Sequence, residues 1–172
     1  VFLGGTAASP PSASLTLDNP SDKASASFGS SLACADVDGD GIEDLIVGAR
    51  LYDLPGSDSG AAFVYPGSMS GPAADPLVML SVPDSSSLVH FADDIAWIGD
   101  VNADGLPDIA VGAPGSPGDT YIYTGQPGGL STTPATHLDT PSGGTSTGFG
   151  CAVALTDRRG RTGSSPCASS GW

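Results

Sequence analysis

Residues 28–49 read Phe28-Gly29-Ser30-Ser31-Leu32-Ala33-Cys34-Ala35, then Asp36-Val37-Asp38-Gly39-Asp40-Gly41-Ile42-Glu43-Asp44, then Leu45-Ile46-Val47-Gly48-Ala49. Residues 91–114 repeat that order. Phe91-Ala92-Asp93-Asp94-Ile95-Ala96-Trp97-Ile98-Gly99 leads into Asp100-Val101-Asn102-Ala103-Asp104-Gly105-Leu106-Pro107-Asp108 and then Ile109-Ala110-Val111-Gly112-Ala113-Pro114. A third copy opens at Phe149-Gly150-Cys151-Ala152-Val153-Ala154-Leu155. Asp36 and Asp100 are 64 residues apart, as are Asp44 and Asp108. Gly4, Gly67 and Gly125 each follow a short apolar run. From each, a Leu stands 13 residues on (Leu17, Leu80, Leu138) and a Phe 24 residues on (Phe28, Phe91, Phe149). The chain is an array of units of about 60 residues.

Each unit is a set of short strands. Gly and Pro together supply 25 and 15 of the 172 residues, spread so that long amphipathic helices find no room. Leu32–Ala35 and Ile95–Ile98 are brief apolar runs ending at the Asp stretch. Leu45–Ala49 and Ile109–Ala113 are continuous apolar runs, as in strands buried on both faces. Ala61–Tyr65 and Thr120–Tyr123 follow Gly/Ser/Asp/Pro turns, and a weaker strand lies around Leu77–Val82. Four strands in a unit of this length predict an all-β fold built from β-propeller blades, each a four-stranded antiparallel sheet.

The Asp stretches carry the chemistry. Asp36, Asp38, Asp40 and Asp44 occupy positions 1, 3, 5 and 9 of a loop with Gly41 at position 6, and the Ile42 carbonyl at position 7 adds an oxygen. Carboxylates at alternate positions converge on one point and need a cation to neutralise them. A flexible all-oxygen set favours Ca²⁺ over Mg²⁺. The second loop offers Asp100, Asn102, Asp104, the Leu106 carbonyl and Asp108, with one charge fewer, and is expected to bind more weakly. Glu43 stands outside the alternating set. An EF-hand reading fails, because position 12 is Val47 or Val111 inside a strand run rather than an acid. The plain alternative is that the Asp residues only make Asx-turns.

Composition narrows the function classes. Nineteen Asp and Glu oppose five Lys and Arg, for a net charge of −14, which repels nucleic-acid phosphates. No apolar run approaches the roughly 18 residues of a membrane span. Cys34, Cys151 and Cys167 form no CxxC or zinc-finger spacing. Cys34 and Trp97 share a repeat position and read as core filling. Gly144-Thr145-Ser146-Thr147-Gly148 matches G-x-S-x-G but lacks the strand before and helix after that a nucleophile elbow needs. His90 and His137 share no repeat position, and Asp93-Asp94 reads as surface or loop charge. Asn19-Pro20-Ser21 is barred from glycosylation by its Pro.

Taken together, Phe28-Gly29 and Phe149-Gly150, the two Asp loops, and Gly112-Ala113-Pro114 (Gly48-Ala49-Arg50 in the first unit) resemble FG-GAP repeats, the blades of the integrin alpha-chain β-propeller. The resemblance covers roughly residues 1–157. It implies Ca²⁺ ions, two here, that rigidify hairpins on one face, and a non-catalytic binding or adhesion module of an extracellular or cell-surface protein whose partner is a protein or other extracellular ligand. The runner-up is an accessory propeller portion of a larger extracellular enzyme with its catalytic domain elsewhere. The organisation read is 1–27, the end of a preceding unit; 28–90 and 91–148, repeats with Ca²⁺ loops; 149–157, the start of another; and 158–172, a basic non-repeat tail. The family's propellers close with about seven blades, so this one is incomplete and its remaining blades are expected on a longer polypeptide. Past residue 157 the acids stop: Arg159, Arg161 and Ser165 replace the ligands at positions 3, 5 and 9. The tail is expected to lack strands and to be out-of-frame or truncated coding sequence, which resequencing across codon 157 would test.

Overall fold

The computed structural model describes residues 15–20, 26–54, 58–83, 89–115, 118–141, 148–156 and 162–163. Most of residues 158–172, the first landmark Gly4, and Gly144, Thr145, Ser146 and Thr147 of the G-x-S-x-G match lie outside them. The described elements are all β. Blade 1 is formed by β1 (Phe28–Ala35), β2 (Asp44–Ala49), β3 (Ala61–Tyr65) and β4 (Val78–Leu80) in that order across the sheet. Blade 2 uses β5 (Ile95–Gly99), β6 (Asp108–Ala113), β7 (Asp119–Tyr123) and, at its outer edge, β10 (Thr136–Asp139). Between β7 and β10 a small hairpin joins β8 (Gly125–Gln126) to β9 (Gly129–Leu130). All pairings within both blades are antiparallel. Both match the four-strand blade that the repeat predicts.

The tail differs from its expectation at one point. Thr162–Gly163 (β12) pairs antiparallel with Leu155–Thr156 (β11), so strand pairing continues past residue 157. A two-residue ladder needs only backbone donors and acceptors, which any non-Pro sequence supplies.

The inner strands bury both faces, as their unbroken apolar runs require. Ile46, Val64 and Leu80 of blade 1 and Ile109, Val111, Tyr121 and Tyr123 of blade 2 form one core between the sheets. Val47, Ala49, Phe63 and Tyr65 form a second core on the other face of blade 1, with Leu17 and Phe28 packed on it. The Phe that opens each unit packs edge-on against the aromatic residues of its own third strand. Phe28 lies 5.9 Å from Phe63, and Phe91 lies 6.1 Å from Tyr123.

Blades meet backbone to backbone, and this explains the small residues of both motifs. A Cβ on Gly48 would sit 2.5 Å from the Ala92 carbonyl oxygen, and one on Gly112 only 1.8 Å from that of Gly150. Gly60 forms a parallel bridge with Phe91, whose N–H donates to Ser59 O at 3.0 Å. Ser31 Oγ donates to Ala92 O at 2.7 Å. Thus the Gly-Ala strand of one unit receives the Phe-Gly corner of the next. Two acids read as plain surface charge also join units. Asp93 pairs with Arg50 of blade 1 at 3.1 Å, while Asp94 accepts from Val153 N–H of the following unit at 2.8 Å.

One sequence irregularity has a structural cause. The opening Phe residues are 63 apart but the loops 64 apart, so blade 2 carries one extra residue in its first strand. It is absorbed as a bulge between Trp97 and Gly99, with Gly99 at φ +79°. Trp97 packs on the core as expected. Cys34, buried at the same repeat position, is also disulfide-bonded, whereas Cys151 is a free, exposed thiol.

Candidate metal centre

Both Asp loops close the hairpin between the first two strands of a blade, and the two are built alike. In the first, Asp36 Oδ1 and Oδ2 accept from Gly39 N–H and Gly41 N–H, both at 2.9 Å. Asp38 Oδ1 accepts from Asp40 N–H at 3.0 Å and Asp40 Oδ1 from Ile42 N–H at 2.7 Å. In the second, Asp100 accepts from Asp104 N–H and Gly105 N–H, Asn102 Oδ1 from Asp104 N–H, and Asp104 Oδ1 from Leu106 N–H, at 2.9–3.0 Å. These Asx-type bonds fold the loop on itself and aim the side chains inward.

The structure brings Asp36, Asp38 and Asp40 together: one carboxylate oxygen from each lies within 4.8 Å of the others. That density fits a divalent cation. Turn bonds use one lone pair of an oxygen, and a carboxylate has about four acceptor positions, so the group keeps capacity for an ion. Asn102 changes the second loop in a specific way. Its Nδ2 donates to Asp104 Oδ2 at 2.7 Å, so an attraction stands where the first loop has two facing carboxylates.

Position 9 does more than the sequence discloses. Asp44 is 2% exposed and Asp108 0%. Asp44 Oδ2 accepts from Val37 N–H at 3.1 Å and Oδ1 from Gly67 N–H at 2.8 Å. Asp108 accepts from Val101 N–H at 2.7 Å and Gly125 N–H at 3.1 Å. Each therefore clamps the start of its loop to the chain leaving its third strand. The clamp also accounts for the glycine landmark. A Cβ on Gly67 would lie 2.3 Å from Glu43 O, and one on Gly125 2.6 Å from Pro107 O. The two loops are neighbours as well, since a Cβ on Gly39 would lie 2.6 Å from Leu106 Cδ2.

Residues 28–65 and 93–129 match the family model described as FG-GAP repeat. The chain carries FG-GAP repeats. It is 39% identical over 133 residues to integrin alpha-6 of Gallus gallus and 40% identical over 137 residues to integrin alpha-IIb of Mus musculus. A third relative, integrin alpha-3 of Mus musculus, is 42% identical over 106 residues. These alignments take in 74%, 73% and 60% of this chain and 12%, 13% and 10% of the respective relatives. The FG-GAP chain thus spans about an eighth of the length of the first two. Both matched segments contain an Asp loop with its position-9 Asp.

Two predictions arise from this geometry. Burial pushes the Asp44 carboxyl from 3.8 up to about 6, and the Asp38 and Asp40 charges add to the rise against the two amide bonds that lower it. Between those values the native state holds more protons than the unfolded one, so stability falls as pH rises from about 4 to about 6 and is flat above. We expect that slope in chelator, measured by urea denaturation across pH. Asp44→Asn removes the slope while lowering the baseline, because an amide cannot accept at both oxygens' places. An unaltered slope in Asp44→Asn would assign the titration to another group. Separately, Ala103 sits at φ +62° where the first loop has Gly39 at φ +80°. Ala103→Gly is expected to stabilise by about 1 kcal/mol through relief of left-handed strain, read as a raised melting midpoint.

Proposed function

We propose that this chain is a calcium-binding FG-GAP β-propeller segment of a secreted or cell-surface protein, acting as a non-catalytic protein- or ligand-binding and adhesion module. The observation that carries the reading is the pair of register-equivalent Asp loops, one per blade, each set in an FG-GAP repeat related to integrin alpha chains. The first site would use Asp36, Asp38, Asp40, the Ile42 carbonyl and Asp44. The second would use Asp100, Asn102, Asp104, the Leu106 carbonyl and Asp108. A hard cation suits these all-oxygen donors, and bound there it neutralises the carboxylates and stiffens the hairpin. The remaining loops, held on rigid blades, are then free to meet a partner.

Calorimetric titration with Ca²⁺ tests this. Two sites are expected in the parent chain, one in Asp40→Ala and one in Asp104→Ala, with the surviving site in Asp40→Ala the weaker. No calcium heat in the parent would sink the reading and leave the loops as Asx-turn hairpins. Matching affinity for Mg²⁺ would count against a calcium-selective site.

A further inference from the structure

Blade 2 departs from blade 1 at its outer edge. Where blade 1 has Ala61, Met79 and Ser81, blade 2 has Asp119, His137 and Asp139. The β10–β7 register sets His137 opposite Tyr121 and Asp139 opposite Asp119. The imidazole lies flat on the Tyr121 ring, with centroids 4.6 Å apart and planes within 4°. So held, its Nε2 is 3.3 Å from Asp119 Oδ1 and 3.2 Å from Asp139 Oδ1. The three donor atoms all lie within 4.8 Å of one another. Asp119 belongs to the end of the sheet near Ala113, away from the Asp108 end that carries the calcium loop.

Two acids directly across a ladder repel, and one Nε2–H can point squarely at only one of them. Both separations exceed the roughly 2.7–2.9 Å of a charge-assisted N–H···O bond. They match the edge of a tetrahedron instead: an ion with bonds of about 2.0–2.1 Å to N and O ligands holds those ligands about 3.3–3.4 Å apart. We propose that Asp119, His137 and Asp139 form a site for a borderline divalent transition ion of the zinc class, separate from the calcium loops. The imidazole sets the preference, since nitrogen donors select such ions over Ca²⁺, while the Asp loops offer oxygen alone. Three protein donors leave one position of a tetrahedral ion for water or an incoming ligand.

The full chain, in a Cys151→Ser background that removes the exposed thiol and in saturating Ca²⁺ that occupies the loops, is titrated with Zn²⁺ by calorimetry. It is also titrated with Co²⁺ and followed by visible absorption. One zinc site is expected under these conditions, with Co²⁺ d–d bands to match. His137→Ala and Asp139→Asn should each weaken zinc by roughly tenfold or more, since loss of groups that merely orient ligands already costs that much. His137→Gln, which keeps a polar side chain at this exposed edge, should behave like His137→Ala and lose the cobalt bands. Absence of zinc heat, or zinc affinity unchanged in either His137 variant, overturns the proposal. Because Zn²⁺ is read in excess Ca²⁺, the result stands apart from whether the Asp loops bind calcium.

Discussion

Excess Ca²⁺ is expected to raise the thermal unfolding midpoint by about 10–20 °C over chelator. An ion that binds only the native state adds RT ln(1 + [L]/Kd), about 2.7 kcal/mol per site at a hundredfold excess over Kd. For a chain of 150–250 residues each kcal/mol shifts the midpoint by roughly 2–4 °C. Two sites give the stated range. Asp40→Ala should remove more than half of the rise and Asp104→Ala less, because Asn102 already relieves the second loop through its bond to Asp104. Asp40→Ala in chelator should cost little: it removes one bond to Ile42 N–H but also one of three crowded carboxylates. A cooperative melt with the same midpoint in both buffers would contradict this account.

Gly60→Ala is expected to cost about 2–5 kcal/mol in urea denaturation. Its Cβ would lie 2.2 Å from Phe91 O and 2.6 Å from Phe91 N, and Gly60 has φ +84°. The atoms in the way are backbone, so no rotamer change can make room and the seam must open. Overpacking of this kind costs about 1–3 kcal/mol, and left-handed strain adds roughly 1–2 kcal/mol. Gly128→Ala provides the comparison: φ is +89° but nothing lies within 4 Å, so strain alone applies, about 1–2 kcal/mol. Equal losses in the two variants would remove the steric contribution. Faster amide exchange at Phe91, whose N–H is bonded to Ser59 O, would locate the damage at the seam.

Much of this architecture is legible in one sequence because it is written more than once. Apolar runs bounded by Gly and Asp give the inner strands, and alternate carboxylates give the loops, since both depend on neighbours in the chain. Relations across the fold are not written that way. Asp44 and Asp108 look like further members of a ligand set, yet their oxygens also tie Gly67 and Gly125 to the loop base. Arg50 and Asp93 are 43 residues apart, and neither position has a local reason to suggest the other. The Asp119–His137–Asp139 cluster arises from β10–β7 register, set by strand pairing that periodicity cannot resolve. A single available clue was the offset that changes from 63 to 64, which reports the bulge at Ile98.

The seam between units gives the array a direction. Each unit offers a socket, around Gly48 and Gly60 or Gly112 and Gly118, and each begins with a plug, Phe91-Ala92 or Phe149-Gly150. A socket is finished by residues that precede its plug in the chain, so on the ribosome every blade meets a completed template. Insertions must respect that fit. From Ala49 to Gly60 the chain takes 11 steps, and from Ala113 to Gly118 only 5. Both stretches leave the second strand and return to the seam at the same place. The six-residue difference is thus spent between the second and third strands, where units can differ in length while the Gly-to-Phe contacts of the joint are kept.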